Sequence, residues 1–471
     1  MVETLLDIDP DTGEFMPMLA TRWEMAPDGK SWTMDLREGV TFHSEFGEFD
    51  AQDVAHMRFL MGPQEGNLNS FRNTWATTVN NVEIVDDHRV VFQLDKPDPG
   101  LDFFLSLSGD LVMLSKNQWD QEGQDGLEQR LIGTGPYEYL EREVGQSISF
   151  SRVPYEHWRV PNADFQELEL VWAPESATRL AMLLTGEAHM AELPRDVLAQ
   201  AVSEGMGISQ SGLGAILTWL VMGGQYYTTG DEAYDATVPY AQPGENGRLV
   251  RKAMNKAISR DQINEFIFRH GGTTMLVHGY HHTLPGWNPE WEDRWEEEYG
   301  YDPEAAKDLL EQAGYPDGFK LKMYGAHTLP GVPELPDIAE AVSIFWTEIG
   351  IDVEIVSLEF SAVRPQYRTK QIQGFIFPMR TVRRPLQEQI RLFNLPDGVV
   401  HHYESDSVVE TWNELSLTLD PAERDRLIRE IGNEKFDNHE TIPLLWIFFQ
   451  VAINPDVIAE YKFPRNGRQQ L

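Results

Sequence analysis

The sequence contains no cysteine, and this absence removes several kinds of chemistry at once. Disulfide bonds, thiolate metal sites and cysteine nucleophiles are all excluded. Basic residues are also scarce, because 38 lysines and arginines stand against 76 acidic residues and leave a formal net charge of −38. Nucleic acids and anionic membranes both require a basic face on their partners. We therefore expect the protein to bind neither.

Long hydrophobic runs are absent as well. The longest apolar stretch, TIPLLWIFFQVAI from Thr441 to Ile453, is shorter than the roughly 18–20 residues that cross a bilayer, and we predict that it is a buried strand. The opening MVETLLDIDPDTGE has neither the basic region nor the apolar region of a signal peptide. We expect either a cytosolic protein or a fragment whose export signal is missing.

The order of predicted elements points to an α/β protein of more than one lobe. A chain of 471 residues is too long for a single core. Its first third alternates apolar and polar residues in strands such as SWTMDLREGVTF and DHRVVFQLDKP. Later segments alternate strands with helices such as YDPEAAKDLLEQAG, which begins after the N-cap Asp302 and ends near Gly314. This pattern predicts an α/β domain beside a more β-rich first part.

The motifs that usually carry catalysis are absent from the sequence. It has no Walker loop, no H-E-x-x-H and no G-x-S-x-G. DIDPDTGE lacks the spacing of a calcium loop, and we interpret it as a turn. The histidines at positions 278, 281, 282, 401 and 402 do not follow a defined metal-ligand spacing. We therefore predict no catalytic residues, no metal site, no cofactor and no enzymatic activity.

Four segments, which span most of the chain, resemble one known family. They are LATRWEMAPDGKSWTMDLREGVTFHSEFGEFDAQDV; GTGPYEYLEREVGQSISFSR with YEHWRVPNADFQELELVWAPESATRLAMLLTGEAHMA; RLVRKAMNKAISRDQI with YDPEAAKDLLEQAGYPDGF; and LDPAERDRLIREIGNEKFDNHETIPLLW. In this order they resemble the large extracytoplasmic solute-binding proteins of ABC importers. That family carries dipeptides, oligopeptides, nickel chelates and some oligosaccharides.

The resemblance implies a two-lobed periplasmic-binding-protein fold of the α/β class, with mixed sheets and hinge crossings. Residues 1–215 would form lobe I, with a β-rich subdomain and a helical insert, and residues 216–446 would form lobe II. Residues 447–471 would return to lobe I. The crossing strands would be GAILTWLVMGG and PLLWIFFQVAI. Family members usually begin earlier, so we expect the first strand of lobe I to be missing.

The resemblance also implies a function. It predicts a periplasmic or extracytoplasmic monomer that captures a small organic solute, either peptide-like or carboxylated, by hinge closure. The solute would pass to the permease subunits of an ABC importer. A missing N-terminal segment would provide any membrane anchor. Two alternatives stay open: an oligosaccharide ligand, which the 13 tryptophans favour, and a ligand-sensing receptor domain.

One short segment bears on the ligand. FPMRTVRRP places Arg380, Arg383 and Arg384 within five positions of an acidic protein. Peptide-binding relatives tend to carry at this place an aspartate that holds the peptide's amino terminus, whereas here no acidic residue stands between Gly374 and Gln387. Arginine offers a planar fork of donors, which favours a ligand bearing carboxylate, phosphate or many hydroxyls. The alternative is that these arginines pair with nearby carboxylates.

The resemblance places the rest of the ligand cleft at the segment TWLVMGGQYY. Its candidate binding residues are Trp219, Met222, Gln225, Tyr226 and Tyr227. Aromatic faces there would stack on a sugar, an aromatic group or the apolar side of a ligand. For Trp219, core packing is an equal alternative. We expect the loop of Tyr280, His281 and His282 to border the cleft.

Overall fold

The computed structural model of the chain describes residues 1–9, 14–61, 78–109, 111–211, 214–325 and 329–463. The chain divides into two units, of which one contains Met1–Glu175 and the other begins at Ser176. Each unit encloses a hydrophobic core of its own. The turn predicted in DIDPDTGE includes residues 10–13, which lie outside the described residues.

The first unit is built mainly from antiparallel strands. A hairpin joins β1 (Leu6–Ile8) and β2 (Phe15–Pro17). A four-stranded sheet, in the order β3-β4-β6-β5, contains β3 (Ala20–Met25), β4 (Ser31–Leu36), β5 (Val79–Asp86) and β6 (Arg89–Leu94). A three-stranded sheet contains β7 (Tyr137–Glu143), β8 (Ser147–Arg152) and β9 (Glu167–Val171). In β4 the alternate residues Trp32, Met34 and Leu36 are buried, which confirms the predicted period of two.

Three helices and two short 3₁₀ turns complete the described part of the first unit. They are α1 (Ala51–Leu60), α2 (Leu101–Leu105), α3 (Lys116–Gln129) and the turns His43–Glu45 and Leu107–Gly109. The start of α1 follows from its capping box. The Asp50 carboxylate accepts from the backbone N of Gln52 at 2.6 Å, and the Asp53 carboxylate accepts from that of Asp50 at 3.0 Å. The capping box therefore explains why the helix begins directly after Asp50.

The second unit is organised around a six-stranded mixed sheet in the order β14-β19-β12-β17-β15-β16. Its strands are β12 (Ile216–Met222), β14 (Gly272–Thr274), β15 (Lys320–Tyr324), β16 (Asp352–Val356), β17 (Phe375–Val382) and β19 (Ile442–Ile447). A smaller sheet contains β10 (Met190–Ala191), β11 (Gly207–Gln210) and β20 (Gln450–Ile453). A parallel pair is formed by β13 (Gln225–Tyr227) and β18 (Tyr403–Ser405).

Helices pack around these sheets. They are α4 (Ser176–Thr185), α5 (Arg195–Ser203), α6 (Gly244–Lys256), α7 (Arg260–Gln262), α8 (Glu290–Tyr299), α9 (Pro303–Gln312), α10 (Leu335–Glu348), α11 (Phe360–Arg368), α12 (Leu386–Phe393), α13 (Asp406–Leu417) and α14 (Pro421–Asp437). A 3₁₀ turn occupies Pro239–Ala241, and α7 continues as a π-helical turn at Ile263–Ile267. The α9 prediction is confirmed, because Asp302 accepts from the backbone N of Ala305 at 2.9 Å. The α14 helix begins after the N-cap Asp420, which accepts from the backbone N of Glu423 at 2.9 Å, and it ends at Asp437.

The central strand of the large sheet is β12, and each of its residues is buried. It pairs in antiparallel fashion with β17 on one side and β19 on the other. A strand with a neighbour on each edge and a core on each face has no polar surroundings. This explains why the sequence ILTWLVM is almost entirely apolar rather than alternating, and why its one polar side chain, Thr218, donates to the carbonyl oxygen of Leu445 at 3.1 Å.

The prediction of one buried strand from Thr441 to Ile453 is wrong in one respect. The segment is buried and extended, but it breaks at Phe448 and Phe449 into β19 and β20, which belong to different sheets. Composition could not show the break, because both halves and the two phenylalanines between them are apolar.

Candidate ligand-binding site

The three arginines of FPMRTVRRP lie at the carboxyl end of β17. Arg380 is opposite Thr218 in the register of β17 with β12. The backbone N of Arg383 donates to the carbonyl oxygen of Ala215 at 2.8 Å, so pairing continues just past the end of the strand. Arg384 follows directly, and Pro385 then serves as the N-cap of α12. All three arginine side chains are half-buried in the second unit.

Arg380 lies in a region that also contains carboxylates. Burial raises the pKa of Glu192, and the positive charges of Arg380 and Arg179 oppose that rise. The Glu192 Oε1 atom accepts from the backbone N of Gly331 at 2.5 Å. The charge of Arg380 is therefore at least partly compensated by an acidic neighbour from the segment that follows β10.

A chain of hydrogen bonds surrounds Arg383. Its Nη2 atom donates to the hydroxyl of Thr283. The Oγ1 atom of that threonine lies 2.9 Å from Nδ1 of His281, and the Thr283 backbone N lies 3.3 Å from the same ring nitrogen. Burial, followed by the charges of Arg383 and His282, lowers the pKa of His281 to about 4. His281 is therefore neutral at neutral pH and stands next to a cation.

Aromatic rings flank this chain. The His281 and His282 rings stack with their centroids 4.3 Å apart. Trp446 of β19 meets His281 edge-on at 5.2 Å, and Trp287 meets His282 edge-on at 6.3 Å. His282 is exposed, whereas Trp446 is buried. The end of β17 thus combines guanidinium donors with planar rings, which suits an anionic group attached to a flat or apolar body.

The other predicted site residues lie elsewhere in the second unit. Trp219 is opposite Met379, so it lies on the face of the sheet opposite to Arg380. It is fully buried, with its ring 4.3 Å from His278 and 5.8 Å from Phe393. Its Nε1 atom has no hydrogen-bond partner among the described residues. The structure thus places Trp219 inside a buried aromatic cluster.

Met222 is the last residue of β12, and Gln225 is the first residue of β13. Met222 is opposite Ile376, four residues along the strand from the Arg380 pair, or about 13 Å at the rise of a strand. Gln225 is buried and donates through Nε2 to the carbonyl oxygen of Glu440 at 2.5 Å. The structure does not bring these two side chains to the arginines.

Tyr226 and Tyr227 follow directly in the chain. The Tyr226 ring lies 5.0 Å from the Nζ atom of Lys370, which bonds to Asp231 at 2.5 Å and to Glu404 at 2.6 Å. The hydroxyl of Tyr227 donates to the carbonyl oxygen of Gln242 at 3.3 Å. Both tyrosines lie in β13, next to a buried ion network that sequence analysis did not anticipate.

A second buried ion pair was also missed. Lys435 and Glu440 lie 3.3 Å apart with side chains 1% and 2% exposed. Burial raises the pKa of Glu440 and lowers that of Lys435, so their pairing offsets the cost of burying two charges. Lys435 also donates to the carbonyl oxygen of His278 at 3.2 Å. Through this bond the ion pair contacts the aromatic cluster around Trp219, because His278 belongs to that cluster.

The described residues lack both a cluster of metal ligands and a membrane-spanning helix. In that part of the chain no three histidine, cysteine, aspartate or glutamate side chains are arranged to hold a metal ion. Within the same residues, none of the helices has both the length and the apolar character needed to cross a membrane.

The fold defines a class, and comparison with solved structures identifies it. A dipeptide binding protein from Pseudoalteromonas sp., in complex with Met-Leu, superposes with a TM-score of 0.81 at 21% identity, over 97% of this chain and 90% of that one. Such neighbours are two-lobed periplasmic binding proteins, and the predicted fold class is confirmed.

Sequence comparison then names the family. The profile of bacterial extracellular solute-binding proteins, family 5 Middle, matches residues 14–383. The chain therefore belongs to family 5 of the solute-binding proteins of ABC importers, whose members are periplasmic binding proteins and not enzymes. The predicted family and class of protein are confirmed.

Two curated relatives illustrate the family's range. Heme-binding protein A of Haemophilus influenzae is 26% identical over 402 residues, which cover 79% of this chain and 67% of that protein. The dipeptide-binding protein of Escherichia coli is 25% identical over 383 residues, with 76% and 66% covered. The chain spans about two thirds of the length of these relatives.

Proposed function

We propose that this protein captures a small organic solute, peptide-like or carboxylated, by hinge closure and delivers it to the permease of an ABC importer. Membership of family 5 supports the transport role, because relatives are binding components of such importers. A solute that gains contacts when the lobes close shifts the population toward the closed form. We also propose that the protein acts outside the cytoplasm, with or without a membrane anchor.

We infer the class of ligand from the residues at the carboxyl end of β17. Between Gly374 and Gln387 the segment holds arginines and no acidic residue. The register with β12 and the bond from the Arg383 backbone to Ala215 hold that segment in place. Arg383 presents its guanidinium beside a neutral hydroxyl and a neutral imidazole. An arginine beside neutral donors suits a carboxylate better than an ammonium group.

Arg380 and Arg383 differ in their surroundings, which allows us to rank them as contacts for the anionic group of the solute. The charge of Arg380 acts on the Glu192 carboxylate, and that carboxylate competes with any incoming anion. Arg383 instead donates to the hydroxyl of Thr283, and its charge acts on the neighbouring His281 ring. We infer that Arg383 makes the principal contact with the anionic group of the solute and that Arg380 sets the local potential.

A thermal-shift screen at fixed salt tests the proposal. The panel contains dipeptides, small carboxylated metabolites and neutral oligosaccharides. A ligand at 100 times its dissociation constant stabilises the protein by about 2.7 kcal/mol, which is a readable shift. A charged hydrogen bond is worth about 1.5–3 kcal/mol, so Arg383→Ala should weaken a carboxylated hit by roughly 10- to 150-fold.

The matched control is Arg426→Ala, which removes a half-exposed arginine from α14. It should leave the affinity for the hit unchanged. Hits restricted to neutral oligosaccharides and insensitive to Arg383→Ala would contradict the proposed ligand class. Absence of hits in the whole panel, with a permease-independent signalling phenotype, would favour the receptor alternative.

A further inference from the structure

The contacts around Thr283 determine which way its hydroxyl donates and which nitrogen of His281 carries the ring proton. Arginine has donors only, so the hydrogen bond between Arg383 Nη2 and Thr283 Oγ1 has the threonine oxygen as its acceptor. The hydroxyl hydrogen is then left to donate in another direction. The acceptor in reach is Nδ1 of His281, at 2.9 Å from the same oxygen.

A second donor meets the same ring nitrogen. The backbone N of Thr283 lies 3.3 Å from Nδ1 of His281, and a backbone N–H can only donate. Two donors converge on Nδ1, so that nitrogen offers its lone pair and carries no hydrogen. The imidazole therefore holds its single proton on Nε2. Protonation of Nδ1 would place its N–H against the backbone N–H of Thr283.

The electrostatic surroundings favour the same state. The charged or titratable groups that act on the ring are Arg383, at the end of β17, and His282, next to it in the loop. From β19 the ring meets Trp446, which carries no charge. Burial of the ring and the nearby positive charge of Arg383 both disfavour the imidazolium form, consistent with a pKa of about 4 for His281.

We propose that Thr283 is a positioning residue that locks His281 as the neutral Nε2–H tautomer, so that the imidazole adds no charge of its own beside Arg383. The part of the inference that concerns solute rests on the proposed function. His281 then contributes no charge that changes between pH 8 and pH 5 to the binding of a carboxylate at Arg383. A protein that works outside the cytoplasm meets variable pH, and this arrangement keeps the contribution of the ring to its anion contact independent of it.

The test uses the full chain with ¹⁵N-labelled histidine and records long-range ¹H–¹⁵N correlation spectra from pH 8 to pH 5. The chain has 13 histidines, and His281→Gln assigns the signals by their loss. We expect the His281 signals to show an unprotonated Nδ1 and a protonated Nε2 without titration over this range. The Nδ1–H tautomer, or a titration midpoint between pH 6 and 7, would overturn the inference.

Two variants at the exposed Thr283 separate the hydroxyl from simple packing. Thr283→Val keeps the shape and removes the hydroxyl, so His281 should become a mixture of tautomers and begin to titrate above pH 5. Thr283→Ser retains the hydroxyl and should behave as the original protein. If Thr283→Val is indistinguishable from the original protein, the positioning role is refuted.

A carboxylate probe distinguishes this inference from the proposed function. Sodium acetate, compared with sodium chloride at equal ionic strength, should shift the His281 signals in the original protein and not in Arg383→Gln. Locked-tautomer spectra without any acetate shift would overturn carboxylate binding at this place and leave the tautomer assignment standing. An acetate shift together with a freely titrating His281 would support carboxylate binding at this place and overturn the tautomer assignment.

Discussion

The contact between Arg195 and Glu334 should dominate the local stability of the second unit. Arg195, the first residue of α5, donates through Nη1 to both carboxylate oxygens of Glu334, at 2.9 and 2.8 Å. Its Nη2 atom donates to the carbonyl oxygen of Phe448 at 2.9 Å. The side chains are 6% and 4% exposed. The pair therefore ties α5 to the residue before α10 and to the break between β19 and β20.

Replacing the arginine leaves the carboxylate buried without its partner. Loss of one member of a buried ion pair costs about 3–5 kcal/mol, so Arg195→Met should lower the free energy of unfolding by that amount. The double variant Arg195→Met with Glu334→Leu should regain most of the loss, because no unpaired charge remains. Urea unfolding followed by tryptophan fluorescence measures both differences.

A surface pair provides the control. Arg426 bonds to Glu423 at 2.7 Å with side chains 49% and 42% exposed, and Arg426→Met should cost less than about 1 kcal/mol. A loss below about 1 kcal/mol for Arg195→Met, or a double variant less stable than the single one, would refute the reasoning.

Two further predictions concern pH and backbone geometry. His43 is held neutral, with Nε2 2.7 Å from the carbonyl oxygen of Gly135, and burial lowers its pKa to about 4. The unfolded chain takes up this proton near the ordinary pKa of about 6.5, so the folded state loses about 1.8 kcal/mol between pH 7 and pH 5. In chemical denaturation at both pH values, His43→Gln should lack that loss, and an unchanged pH dependence would count against it. Gly318→Ala should cost about 2 kcal/mol or more by thermal unfolding, because its φ is +72° and a Cβ would lie 1.8 Å from the carbonyl oxygen of Gly350. Gly314→Ala, with a φ of +91° and open space, should cost only about 1 kcal/mol, and equal losses would contradict the steric argument.

Local signals in the sequence predicted the elements that depend on local physics. Asp302 before Pro303 marks the start of α9, and the alternating residues of SWTMDL mark β4. These features follow from capping and burial, which act over a few residues. The family could be recognised because its motifs lie in the same order along the chain.

The candidate site was only partly predictable. The arginines stood out because they are basic residues in an acidic chain. Their partners did not, since Thr283 lies 100 positions from Arg383 and Glu192 precedes β12 altogether. A single sequence contains no signal for such contacts. The side on which Trp219 lies depends on the β12–β17 register, which is set by pairing between distant strands.

The position of β12 in the large sheet has a consequence for biosynthesis. Its neighbour β19 begins some 220 residues after β12 ends. At a synthesis rate of roughly 5–20 residues per second, β12 waits about 10–45 s for that neighbour to leave the ribosome. During this time an apolar strand has an unpaired edge, which is a template for aggregation. The nascent chain must therefore be shielded, or kept unfolded, until β19 has been made.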